Sequence, residues 1–109
     1  RSHLAKHYDE NINNKKIIKL NYSKQSVYHQ YVILVKNRTK LKKLLEKNKI
    51  QYGFHYPRSI NQLDCLKKKF KNKKFKYAEN IANNCLSLPI DPTLNINQIK
   101  KIISVLNSF

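Results

Sequence analysis

The chain has no methionine, no tryptophan, a single glycine (Gly53) and three prolines among its 109 residues. So little glycine and proline excludes collagen-like repeats and flexible Gly/Ser linker character. Its two cysteines, Cys65 and Cys85, are far apart and form no CxxC pair, so neither a zinc site nor a disulfide framework is indicated. A reducing, cytoplasmic setting is the expectation. No apolar run approaches the ~20 residues needed to cross a bilayer, and the polar N-terminus carries no signal-peptide pattern. Acidic residues are scarce and scattered: Asp9, Glu10, Glu46, Asp64, Glu79 and Asp91. That spacing gives no support to a paired-carboxylate site. The chain begins at Arg1 and lacks methionine, so the expectation is a piece of a longer protein whose other part holds the chemistry.

Against 6 acids stand 23 Lys plus Arg, a formal net charge of +17. Such a charge invites a nucleic-acid or polyanion partner, because phosphate binding needs little beyond clustered cations. The densest run, 67–76, interleaves Phe70 and Phe75, which suit base stacking. Twenty of the 23 cations are lysines, however, and only Arg1, Arg38 and Arg58 carry the planar fork on which specific readers lean. Fourteen Asn, 12 Ile and 7 Tyr accompany the lysines. The pattern reads as a compositional bias on a solvated surface, and it argues against nucleic acid as the partner.

Apolar periodicity outlines an α/β (α+β) layer. Leu4, Ala5, Tyr8 and Ile12 predict a first helix from Ser2, its N-cap, to about Asn14. Ile17–Tyr22 reads as a short extended or looping stretch. Ser26–Lys36 is β-branched and aromatic on both faces, which predicts a central covered strand. Asn37 caps a predicted helix with Leu41, Leu44 and Leu45 on one side, ending near Asn48. Ile50–Tyr56 reads as the next strand, stopped by Pro57. Leu63, Leu66 and Phe70 suggest a short helix within 59–72. A helix from Phe75 or Lys76 to Asn84 precedes a short strand, Cys85–Pro89. Asn95 with Gln98 forms a capping-box start to a last helix carrying Ile99, Ile102, Ile103 and Leu106. The expected architecture is a small three-stranded sheet covered by helices.

The second half then shows an ordered set of motifs. Gly53-Phe54-His55-Tyr56-Pro57 comes first, followed by Tyr77-Ala78-Glu79 with Ile81-Ala82. Leu86-Ser87-Leu88-Pro89-Ile90-Asp91-Pro92 and the Gln98-Ile99 helix complete it. Upstream lie the aromatic strand Tyr28-His29-Gln30-Tyr31-Val32-Ile33 and the segment Arg38–Ile50. In this order and spacing the chain closely resembles the C-terminal part of the DegT/DnrJ/StrS family of pyridoxal-phosphate-dependent sugar aminotransferases. The resemblance implies a fold type I aminotransferase, with residues 1–109 forming its single small C-terminal domain and the large cofactor-binding domain absent from this chain. It implies pyridoxal phosphate (PLP) for the full-length parent but no cofactor held by this piece, whose lysines do not sit in the family's Schiff-base motif. It further implies a homodimeric parent that moves an amine from a donor such as glutamate to a nucleotide-linked keto-sugar. The alternatives are a basic nucleic-acid or polyanion-binding module, or a non-catalytic regulator derived from the same family.

Four residues become candidate substrate contacts. His55 and Tyr56 end a strand where Pro57 forces a turn, so they either reach sugar and phosphate oxygens or cap the turn. Arg58 suits a diphosphate, or is a solvated loop cation. Asn61 stands where many family members carry a second histidine, which puts that imidazole's role in doubt here. His29 is expected to be buried and satisfied. His3 and His7 are one turn apart without a third ligand, so no metal is expected. Cys65 and Cys85 are expected in the core.

Overall fold

The computed structural model describes residues 1–109. Four helices and three short strands alternate in the order α1 (Ser2–Asn11), β1 (Ile18–Lys19), β2 (Tyr31–Leu34), α2 (Arg38–Lys47), α3 (Lys76–Asn84), β3 (Cys85–Leu88) and α4 (Ile96–Ser108). The strands form one antiparallel sheet, β1-β2-β3, with β2 in the centre. No helix is long and apolar enough to cross a membrane.

Register sorts the side chains between two faces. Tyr31 pairs with Leu88 and Ile33 with Leu86. Directly opposed residues share a face, and all four belong to the main core with Leu4, Tyr8, Leu41, Leu45, Ile99 and Leu106. That face is covered by α1, α2 and α4. Val32 pairs with Ser87 and Leu34 with Cys85 on the opposite face. Fewer residues cover this side: α3 reaches it through buried Ala82, and Val32 and Leu34 stay half-buried. The central strand is therefore thickly covered on one face and thinly on the other.

Side-chain bonds lock the thick layer. The Tyr8 hydroxyl donates to the Pro89 carbonyl at 2.7 Å, fixing α1 to the end of β3. The Tyr31 hydroxyl donates to the Asp9 carboxylate, fixing α1 to β2. Tyr31 also packs on Tyr8 and Tyr22, with ring centroids 4.8 and 5.6 Å away. Asn107 and Asn14 tie the α4 terminus to the end of α1 through the Asn11 and Leu106 carbonyls.

The capping box at α4 forms as the sequence predicts. Asn95 Oδ1 accepts from Gln98 N–H, and Gln98 Oε1 accepts from Asn95 N–H, both at 2.9 Å. Asn95→Ala is expected to cost about 1 kcal/mol in chemical denaturation by orphaning a helix N–H. A loss under ~0.3 kcal/mol would show that water replaces the cap.

Several expectations are corrected. Ser2 is the first helical residue, and Arg1 occupies the cap position without a side-chain bond. The strand predicted from Ser26 begins only at Tyr31, because Tyr28 lies at φ 48° and turns the chain. His29, expected inside, is consequently exposed. Ile50–Tyr56 is not a strand: only Gly53 bridges to Ser87, with bonds of 3.1 and 2.8 Å. The third strand is instead Ile18–Lys19. Residues 59–72 form a short 3-10 turn, Ile60–Gln62, and then irregular turns. Leu63, Leu66 and Phe70 have helical spacing, but Lys67 faces Lys71 at i,i+4, and such like-charge pairs disfavour the helix. Cys65 is exposed in that segment, whereas Cys85 is buried.

Candidate functional site

The thin face of the sheet carries the candidate residues. After the Gly53–Ser87 bridge the chain leaves the sheet, passes His55, Tyr56 and Pro57, and enters the turn at Ser59. Inside this turn Ser59 N–H donates to Gln62 Oε1 at 3.1 Å. The Ser59 hydroxyl donates to Asn61 Oδ1 at 2.7 Å, and Asn61 Nδ2 donates to Glu79 Oε1 at 2.9 Å. Loop and first turn of α3 are thus joined by one side-chain chain.

Between them lies a groove of about 480 Å³. One wall is the 56–61 loop, the other the Ala78, Ile81 and Ala82 face of α3, with Phe70 and Phe75 closing one side. Arg58 is the only charged residue lining it. The rim is open and apolar: Tyr56 is 72 % and Ile60 71 % exposed.

Three of the four candidates meet here, and the fourth does not. Tyr56, Arg58 and Asn61 line the groove. His55 lines a separate hollow of about 280 Å³ beside His29, Gln30 and Asp91. Its Nδ1 lies 2.8 Å from the Ser87 hydroxyl. Gly53 permits this arrangement, since a Cβ there would come within 2.7 Å of His55 Cε1. Arg58 is loosely held, 3.5 Å from Asp64. The Asp64 carboxyl is pushed below its ordinary range, first by the bond from Lys67 and then by the Lys67 and Arg58 charges. The Asp91 carboxyl is likewise lowered, by bonds from the Thr93 hydroxyl and N–H.

Asn61 spends its carbonyl on Ser59 and an N–H on Glu79. Its geometry is that of a residue that holds the loop. Three further residues were not singled out by sequence: Glu79 and Ser87, which anchor Asn61 and His55, and Arg38, which caps α3. Their partners are distant along the chain, so spacing carries no sign of them.

Phe70 and Phe75 stack edge-to-face on each other, with centroids 5.6 Å apart. His3 and His7 are also paired edge-to-face, at 4.9 Å, and no group of three potential ligands assembles.

PLP needs an amine partner and a cradle for its phosphate. No lysine lines the groove, and its one cation stands at the rim. The groove's own residues do not fit that cofactor.

Residues 1–107 match the DegT/DnrJ/EryC1/StrS aminotransferase family. The chain is 26% identical, over its whole length, to a dTDP-3-amino-3,6-dideoxy-alpha-D-galactopyranose transaminase from Aneurinibacillus thermoaerophilus. It spans 30% of that relative's length. It superposes on DesV of S. venezuelae, solved in complex with a ketimine intermediate, with a TM-score of 0.90 and 22% identity, covering 98% of this chain and 30% of that one. NtdA of Bacillus subtilis with bound cofactor PMP gives 0.82 and 22%, over 97% and 26%. At these identities the structural likeness establishes the fold.

Proposed function

The chain belongs to the DegT/DnrJ/EryC1/StrS aminotransferase family, and from that premise we propose that it is the C-terminal small domain of a PLP-dependent enzyme that aminates a nucleotide-linked keto-sugar. In this reading residues 1–109 supply substrate contacts and cleft closure. The large domain of the same polypeptide supplies the cofactor site, the enzyme is a homodimer, and glutamate is the amino donor. The observation that carries the reading is the coverage: nearly all of this chain is matched, but only about a third of each relative.

The cofactor, held elsewhere, supplies the electron sink. This chain's groove binds and orients. Arg58 is free enough to swing to a diphosphate, with geometry suited to paired oxygens. The exposed Tyr56 offers a ring face and a hydroxyl to the sugar. Ile81 and Phe75 present apolar surface that keeps water from the closed cleft. Exposed Tyr77 and Ile60 are covered, in this reading, by the remainder of the enzyme.

The test uses PLP itself. The 109-residue chain is expected to give only slow, unsaturable reaction with surface lysines, whereas the full-length protein binds one equivalent per subunit and transfers amine to a nucleotide-linked keto-sugar. A stoichiometric, saturable adduct on the 109-residue chain would overturn this division of labour.

A further inference from the structure

We propose that Arg38 is a positioning residue for the substrate groove, clamping its two walls from behind. The KM arm of its test rests on the aminotransferase reading; the clamp itself does not. Arg38 opens α2, where Asn37 accepts from the Lys40 N–H and caps the helix. From there the guanidinium crosses to α3 and β3. Nη1 donates to the Ala82 carbonyl at 2.7 Å and the Cys85 carbonyl at 3.0 Å. The guanidinium carbon lies over the Phe54 ring, 4.5 Å from its centre.

Each contact has a physical reason. The last carbonyls of a helix lack intrahelical partners, and they form the negative end of its dipole. A cation placed there satisfies both. The ring face accepts the same charge through its quadrupole. Arg38 takes part in none of the four ion pairs, so carbonyls and an aromatic face are its compensation. The guanidinium donates through Nη1 while its carbon lies over the ring, so its delocalised charge spans both contacts, whereas an ammonium concentrates its charge at one atom.

The contacts lie on both sides of the groove. Ala82 belongs to the α3 wall. Phe54 is two residues before Tyr56, at the root of the other wall. Cys85 completes the link, since its thiol donates to the Tyr56 carbonyl at 3.5 Å. Arg38 does not line the groove. It sets the separation of the Tyr56–Arg58 loop from Ile81 without touching what binds between them.

The experiment uses the full-length protein, with Arg38→Met, Arg38→Lys and Phe54→Leu, the last removing the stack but keeping the carbonyl bonds. Arg38→Met is expected to raise the KM for the sugar nucleotide about five- to tenfold with kcat within about twofold. Arg38→Lys recovers little of it, and Phe54→Leu raises KM by roughly two- to threefold. Amide hydrogen exchange, read without substrate, is expected to accelerate about tenfold at both 54–58 and 82–85 in Arg38→Met. Faster exchange with unchanged KM makes Arg38 merely structural and overturns the proposal, as does unchanged exchange or full rescue by lysine. If Arg38→Met fails to fold, Phe54→Leu decides on the same two readouts. If the wild-type protein transfers no amine, the functional reading fails by itself, and exchange alone decides the clamp: protection lost at both segments sustains it, protection kept at either overturns it.

Discussion

Raising the pH above 10 is expected to unfold this domain cooperatively, because two of its tyrosines must stay protonated to remain where they are. Burial pushes the Tyr8 hydroxyl well above its ordinary value. Burial, then the bond to Asp9 and that carboxylate's charge, do the same to Tyr31. A folded-state pKa above the unfolded one means that the native state holds its proton more tightly. The stabilisation is therefore complete below pH 10, and it is lost as the pH climbs from 10 toward the folded values. Each such group removes about 1.4 kcal/mol per pH unit in that window. Allowing for water at the Asp9 end of Tyr31, the pair removes about 3–5 kcal/mol by pH 12, a large part of a small domain's stability. Circular dichroism and tyrosinate absorbance, followed together at about 1 M salt to screen the lysines, check this. The buried pair should ionise only as the fold is lost. Tyr8→Phe should flatten the stability slope. A slope unchanged in Tyr8→Phe and in Tyr31→Phe would show that other groups drive the transition.

These two tyrosines also show how far the sequence speaks. Tyr8 and Tyr31 both fall on apolar patterns that predict burial, and both are buried. Their hydroxyl partners, the Pro89 carbonyl and Asp9, are joined by tertiary folding and leave no mark in spacing. The same division holds for whole elements. The last helix declares itself twice, through the Asn95–Gln98 box and through Ile99, Ile102, Ile103 and Leu106, and it forms as read. The choice of third strand does not declare itself. Ile17–Tyr22 and Ile50–Tyr56 are both short and partly apolar, and pairing decides between them. Ile18 and Lys19 find Leu34 and Ile33 on β2, while the other segment joins the backbone ladder only through the Gly53 bridge.

Leu63, Leu66 and Phe70 teach the converse lesson. Helical spacing without a core to meet, among lysines one turn apart, yields turns, and it leaves Cys65 in solvent. At the site, motif order brought His55, Tyr56, Arg58 and Asn61 to notice as a group. The fold divides them by their partners, because His55 bonds a β3 side chain while Tyr56 lines the groove. His55 turns to Ser87, Tyr56 to the groove. Asn61 is drawn to Glu79, 18 residues away, by a hydrogen bond that no local pattern encodes.

On the proposed aminotransferase reading, removing the Arg58 side chain from the full-length protein is expected to raise the KM for a nucleotide-linked sugar about 10- to 100-fold. The size follows from what a guanidinium gives to a phosphate: charge-assisted bonds worth about 1.5–3 kcal/mol. Its one protein partner cannot hold it back. The Arg58–Asp64 contact is 3.5 Å long, with both side chains more than half exposed, and Lys67 sits closer to the same oxygen at 3.3 Å. Exposed pairs of this kind contribute little, so Arg58 leaves Asp64 at small cost and Lys67 keeps that carboxylate satisfied. The loss in Arg58→Ala should therefore fall on binding, with kcat and thermal stability nearly unchanged. Arg58→Lys, which keeps the charge and loses the fork, should recover only part of it. Asp64→Asn supplies the sign control: freeing Arg58 from its rival should lower KM slightly or leave it alone. A KM within about twofold of wild type in Arg58→Ala would make Arg58 a solvated loop cation, and the anionic end of the substrate would then have to be met by the other domain.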